Sequence, residues 1–347
     1  MRTTIIILIV SLLMVCIFSL ESCKKRSYNE EDIGTRVEFK VPEGWPQPEY
    51  DFINNPLTEE GFELGRKLFY DGDLSKDGNY SCSGCHQQIA AFGTFDHDLS
   101  HGINNSHTLR NAPPLHNIAW QKEFGWDGSA TGLDQKITDH ISAPNEMGET
   151  VESVINKLKA DAEYRKMFGA AFGDGNITAP RLTKALSQFL LMMVSGNTKY
   201  DKVLRNEASF TTSEQSGYNI FKQKCSSCHV EPLFTDYTYR NIGMPVDPFL
   251  NDKGRIRVTG NSIDSLKFKV PTLRNANVSF PYGHDGRLTG YDQVFEHYRS
   301  GVVNGPTTDP LVKNKIALSN TEFGQLKSFI STLTDTSFIN NKKFAPR

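Results

Sequence analysis

Two pentapeptides carry the chemistry of this sequence: Cys82-Ser83-Gly84-Cys85-His86 and Cys225-Ser226-Ser227-Cys228-His229. Both read C-x-x-C-H, the attachment signature of c-type haem. The spacing follows from the reaction. Two thiols on one helical turn add to the two porphyrin vinyl groups, and the adjacent histidine lies under the ring as proximal iron ligand. A single copy could be a zinc half-site or a C-x-x-C redox pair, but a closed structural zinc site takes four ligands. Two copies, in a chain whose other cysteines are Cys16 and Cys23 alone, point to two haems.

The elements that must position these groups are those of a folded protein. With 38% apolar residues the 347-residue chain has enough for a core, and its length suits two domains or one large one. A net charge of -2 gives no basic stripe for nucleic acid. Each haem motif follows a short amphipathic stretch. The first spans 58–70, with Phe62, Leu64, Leu68 and Phe69 on its apolar side; the second spans 213–224, with Tyr218, Ile220 and Phe221. Thr58 and Ser213 suit their N-caps. Helical patterns also cover 151–172, 179–191 and 321–334, and no long alternating strand pattern is present. Met192 and Met193, inside an apolar helical run, read as core rather than as haem ligands.

The chain repeats itself. Ala112-Pro113-Pro114-Leu115-His116-Asn117 pairs with Val270-Pro271-Thr272-Leu273-Arg274-Asn275 at an offset of 158. The same offset pairs Trp126-Asp127-Gly128 with His284-Asp285-Gly286, Thr131-Gly132 with Thr289-Gly290, and His140 with Tyr298. An ungapped register of this length implies duplication of one haem-binding unit. The expected fold is therefore mainly α, built from two copies of one haem-binding unit.

Upstream, residues 5–18 form an apolar run behind Arg2 that is too short to span a membrane and reads as a secretory signal. Leu20-Glu21-Ser22-Cys23 resembles a bacterial lipobox, in which Cys23 becomes the lipidated N-terminus; Glu21 departs from the small residues usual there. An ordinary cleaved signal or an uncleaved anchor are the alternatives, and each leaves the body exported. The expected organisation is a signal peptide over 1–22, a lipid-anchored tether over 23–52, an N-terminal haem domain over 53–206 and a C-terminal haem domain over 207–347.

From about Leu57 to Asp335 the sequence resembles the bacterial di-haem cytochrome c peroxidases and the related MauG-type enzymes. The carrying motifs are both haem sites, Arg110-Asn111-Ala112-Pro113, Trp126-Asp127-Gly128, Glu146-Met147-Gly148, Pro271-Thr272-Leu273-Arg274-Asn275, His284-Asp285-Gly286 and Leu333-Thr334-Asp335. The resemblance implies two cytochrome c-like haem domains packed face to face, with a peroxidatic haem in the N-terminal domain and an electron-transfer haem in the C-terminal one. It places the inter-haem tryptophan on Trp126 and the distal carboxylate on Glu146. It also implies a calcium ion held by Asn111, Ser279 and Pro281. Where the peroxidases hold the second haem by methionine this chain has Tyr298, as in the MauG branch. The loop histidine that closes the resting peroxidase site has only His101 and His107 nearby. A distal proline of the family is replaced by His140.

Each assignment has a competitor. Glu146 could serve as a catalytic acid–base whose pKa is raised by burial, or as a solvated acid at a helix start beside Glu149 and Glu152. His140 could be a second acid–base, a sixth ligand or a surface histidine. Trp126 could relay electrons or fill the interface. His297 competes with Tyr298 for the second iron. Three functions follow: peroxide reduction to water with electrons from a small exported cytochrome c or cupredoxin; MauG-type oxidation of side chains on a partner protein; or electron transfer without catalysis. A homodimer fits any of them.

Overall fold

The computed structural model describes residues 33–347; the expected signal peptide, Cys16, Cys23 and the first part of the expected tether lie outside them. Among the described residues no helix is long and apolar enough to cross a membrane. Helices dominate, and the strands are two two-residue pairs, His101–Gly102 with Ser106–His107 and Tyr239–Arg240 with Phe268–Lys269.

The duplication is visible in how each half crosses its helices. The Glu59–Tyr70 helix begins at Thr58, whose hydroxyl accepts the Gly61 N–H at 3.0 Å, and packs on the Ala179–Leu191 helix. At the crossing, a Cβ on Gly65 would lie 2.0 Å from the Ala185 carbonyl oxygen. In the second half Thr212–Lys224 crosses Asn320–Ser331, and a Cβ on Gly217 would lie 2.0 Å from the Gln325 carbonyl oxygen. Only glycine permits either close approach. Phe189 and Phe329, fully buried, fill the matching positions beside the two crossings.

Several boundaries differ from expectation for identifiable reasons. The second helix is capped by Thr211 rather than Ser213, because Thr211 and Glu214 form a reciprocal capping box. The pattern over 151–172 divides into Val151–Ala160 and Ala162–Phe172, since the Asp161 carboxylate caps the second helix through the N–H groups of Glu163 and Tyr164. The last helix is Asn320–Ser331, capped by Ser319. Met193 is fully buried and Met192 packs beside the same core.

The buried apolar residues form two clusters. One runs from Trp45 to Met193 and also takes in Leu233, Phe338 and Phe344; the other runs from Tyr200 to Leu333. The first corrects the tether expected over 23–52. Val37 donates to the Leu57 carbonyl, Phe39 and Phe52 pack on the core, and Trp45 lies edge-on to Trp120 at 4.9 Å. The Trp120 indole N–H donates to the Pro46 carbonyl at 2.8 Å. The aromatic residues of 37–52 are thus part of the body rather than a spacer.

Matched asparagines join the halves. Asn117 and Asn275 hold the same left-handed conformation, φ 59° and 58°. Asn117 brackets Ser195 through its backbone N–H and carbonyl, while Asn275 donates to the Ser195 hydroxyl at 2.9 Å and accepts from the Asp335 N–H. Beside them Arg274, wholly buried, forks onto Asp201 at 2.7 and 2.9 Å.

Candidate haem sites

In the first half, Cys82–Cys85 forms one helical turn that presents both thiols and then His86. The His86 Nδ1 donates to the Phe92 carbonyl at 3.0 Å, which leaves Nε2 as the free nitrogen, and burial pushes its pKa down to about 4. A neutral ring with a fixed tautomer is what an iron ligand requires. Across from it stands His140, in the Leu133–Ser142 helix, with ring centres 6.5 Å apart and planes at 76°. The His140 Nδ1 is paired with the Glu146 carboxylate.

Glu146 reaches that position through a tight turn rather than as a helix-start acid. The Leu133–Ser142 helix ends, the N–H groups of Glu146 and Gly148 both return to the Ala143 carbonyl, and Gly148 takes φ 59°. Glu149 pairs instead with Lys157. Burial alone would raise the Glu146 pKa, as expected from sequence, but the His140 contact outweighs it. Together with Lys136 and His86, it holds the carboxyl below the ordinary range. His101 and His107 lie on a hairpin bonded to the Glu146 turn, where the Ile103 N–H donates to the Glu146 carbonyl and the Asn145 amide to the His107 carbonyl. Their exposed rings face each other at 4.5 Å across the first strand pair, with His97 4.8 Å from His101.

In the second half a cavity of about 540 Å³ is lined by Cys225, Cys228, His229 and Tyr298. The His229 Nδ1 lies 3.2 Å from the Phe234 carbonyl and 3.1 Å from that of Pro271, again leaving Nε2 free. Tyr298 sits in a π-helical turn, His297–Gly301, where its counterpart His140 lies in a regular α-helix. Burial, with the two thiols nearby, raises the Tyr298 pKa. Its neighbour His297 spends Nε2 on the Ile242 carbonyl at 2.9 Å.

Two buried polar atoms on this cavity, Arg240 Nε and Tyr291 Oη, find no partner within the protein. Such orphans are rare in native interiors, and they suit a guest with acceptor groups. Thiol pair, free imidazole nitrogen, apolar wall and unpaired donors together fit a c-type haem. Sequence reasoning missed both donors. The repeat register could have flagged Tyr291, which matches apolar Leu133; Arg240 lies on no motif.

The halves meet at Trp126. Its indole N–H donates to the Asn111 carbonyl at 2.9 Å, and its own carbonyl accepts from Lys269 at 2.7 Å. Asn111 in turn donates its backbone N–H to the His284 carbonyl, and His284 stacks on Phe268 at 3.6 Å. Arg110 pairs with Asp127 at 2.7 Å and Asp252 at 2.6 Å. Trp126 thus reaches from the first half to line the cavity of the second. Asn111, Ser279 and Pro281 lie along that same cavity. Among the described residues no cluster of three His, Cys, Asp or Glu side chains is arranged to hold a metal ion.

Comparison with known proteins agrees with this geometry. The family model for di-haem cytochrome c peroxidase matches residues 59–209. The methylamine utilization protein MauG of Methylophilus methylotrophus is 32% identical over 305 residues, covering 86% of this chain and 88% of the relative. Cytochrome c551 peroxidase of Nitrosomonas europaea is 35% identical over 245 residues, covering 70% and 73%. Among solved structures, a MauG-like protein associated with microbial copper homeostasis matches 89% of this chain and 99% of its own, with TM-score 0.80 and 30% identity. The chain belongs to the di-haem cytochrome c peroxidase family, oxidoreductases built from two cytochrome c-like units that carry two c-type haems. Relatives named MauG and relatives named peroxidase both match, so the family alone does not select between those activities.

Proposed function

We propose that the protein reduces hydrogen peroxide to water, H2O2 + 2e− + 2H+ → 2H2O, with electrons from a small exported redox protein such as a cytochrome c or cupredoxin. The observation that carries this reading is the asymmetry at one repeat position. His140 paired with Glu146 faces His86, while Tyr298 occupies the equivalent place in the second half. In this reading Cys82, Cys85 and His86 hold the peroxidatic haem; Cys225, Cys228, His229 and Tyr298 hold the electron-transfer haem; the N-terminal domain ends near residue 206. The bound irons supply the redox chemistry.

The chain's own residues supply the rest. Breaking the O–O bond requires moving a proton from one oxygen to the other, and a carboxylate beside the bound substrate can accept and return it. Glu146, kept ionised at neutral pH by His140, has the charge state to accept that proton first. Trp126, bonded at both ends and lining the second cavity, is placed to pass electrons between the halves. The N-terminal sequence supports export to the periplasmic space and anchoring through Cys23. The resemblance to the family supports calcium near Asn111, Ser279 and Pro281.

Tyr298 favours a second reading. A phenolate ligand stabilises ferric iron and lowers its potential, which disfavours electron entry from ordinary cytochromes. It suits a MauG-type enzyme that oxidises side chains of a partner protein. One experiment addresses both readings: stoichiometric peroxide added to the di-haem protein, followed by absorption and EPR, then turnover with reduced cytochrome c or cupredoxin. A peroxide-dependent spectral change with turnover supports the peroxidase. A change without turnover supports the second reading, and no change in any redox state removes both. Glu146→Gln is expected to slow the peroxide reaction by about 10²–10⁴-fold, measured by stopped flow; a near-normal rate would remove Glu146 from the mechanism.

A further inference from the structure

The spacing between His86 and His140 decides among the roles open to His140. Each ring spends Nδ1 on a partner, the Phe92 carbonyl for His86 and the Glu146 carboxylate for His140, so each keeps Nε2 as its free nitrogen. A metal–imidazole bond is about 2.0 Å and the nitrogen lies about 1.1 Å from the ring centre, so two imidazoles on opposite sides of one metal ion have centres about 6.2 Å apart. A histidine acting as acid–base on a substrate atom bound to that metal stands back by a further hydrogen bond, which moves the centres to about 9 Å. The observed separation is 6.5 Å. It matches two axial ligands and leaves no room for a substrate between the rings.

We propose that His140 is the sixth ligand of the first haem iron, bound through Nε2, with Glu146 fixing its tautomer through Nδ1. A carboxylate behind a ligating histidine orients the ring and raises its basicity. The duplication supports the assignment independently: His140 and Tyr298 are the same position of the repeat, so each half presents its distal group from one place in its fold. The loop histidines do not compete, since His101 and His107 are exposed and face each other. The proposal rests on reading Cys82, Cys85 and His86 as a haem site. It adds to the proposed function that peroxide reaches this iron only after His140 leaves it. Glu146 lies on the turn beyond the helix and does not depend on His140 for its backbone position.

The test is ligation of the loaded ferric protein, read by EPR and near-infrared magnetic circular dichroism. Wild type is expected to show two low-spin haems, one with the charge-transfer band of bis-histidine ligation. His140→Gly should turn half of the haem high-spin, added imidazole should restore it, and cyanide should bind at least tenfold faster. A high-spin haem in resting wild type, or low-spin first haem in His140→Gly without added imidazole, would overturn the proposal. If the variant fails to load haem, the wild-type bis-histidine band decides alone, and its absence is equally fatal. The outcome is separable from that of the peroxidase reading. A bis-histidine protein inert to peroxide in every redox state keeps His140 as ligand and loses the peroxidase; a high-spin protein that turns over does the reverse.

Discussion

Tyr298 and His297 are adjacent residues in one π-helical turn, and their surroundings assign them different work. Both line the cavity that holds the two thiols and His229, but the His297 Nε2 is committed to the Ile242 carbonyl. π-helical turns occur disproportionately at functional sites because the extra residue re-aims a side chain. Replacing Tyr298 by methionine is expected to raise the potential of the second haem, since a neutral thioether stabilises ferric iron less than a phenolate does. Spectroelectrochemical titration of both haems would show it, and an unchanged potential would point to another ligand. At this scale the presence of two c-type haems was legible, because covalent attachment dictates both residue type and spacing. The Glu146 charge state was not. It depends on a histidine six residues away, brought back by a turn whose formation no local pattern announces.

Among the elements, the two glycine crossings explain why the haem motifs sit where they do. The second motif follows directly from a helix pressed against a later one, the first follows such a helix after residues 71–81, and the pressing is possible because Gly65 and Gly217 carry no Cβ. Gly217→Ala would drive a methyl group into the Gln325 carbonyl oxygen, backbone that cannot rotate away. Overpacking of this kind typically costs about 1–3 kcal/mol, to be read as a fall in Tm of the di-haem protein. No loss of stability would mean that the crossing can open without cost. The crossing helices were legible from 3.6-residue periodicity, but Leu133–Ser142, which carries His140, was not among the helical patterns read. Segment 37–52 was not, because proline-punctuated aromatics show no period, and their partners, such as Trp120, lie far along the chain.

Across the whole molecule, the joint between the halves includes a wholly buried guanidinium, Arg274, paired with Asp201. Burial would raise the Asp201 pKa, but the Arg274 guanidinium and the Thr198 groups outweigh it and hold the carboxylate below the ordinary range. A depressed folded-state value contributes stability above the unfolded pKa near ~3.9, lost as pH falls through the lower folded value. Asp201→Asn leaves Arg274 buried without its counter-charge and is expected to cost about 3–5 kcal/mol at neutral pH. Thermal melts should show the variant well below wild type at pH 7 and the gap narrowing in strong acid. A gap independent of pH would assign the loss to packing. Duplication was legible from the 158-residue register. That Arg274 sits where the first half has His116 was legible too, but not that the guanidinium would find Asp201, which lies between the repeats.

The last residues of the chain have a further consequence. Phe338 and Phe344 belong to the core of the first half, where they pack on Phe92 and Phe62. The Tyr70 hydroxyl donates to the Phe344 carbonyl, and Arg66 reaches the Lys343 carbonyl. The core of the first unit therefore cannot close before the segment 338–344 has docked on it.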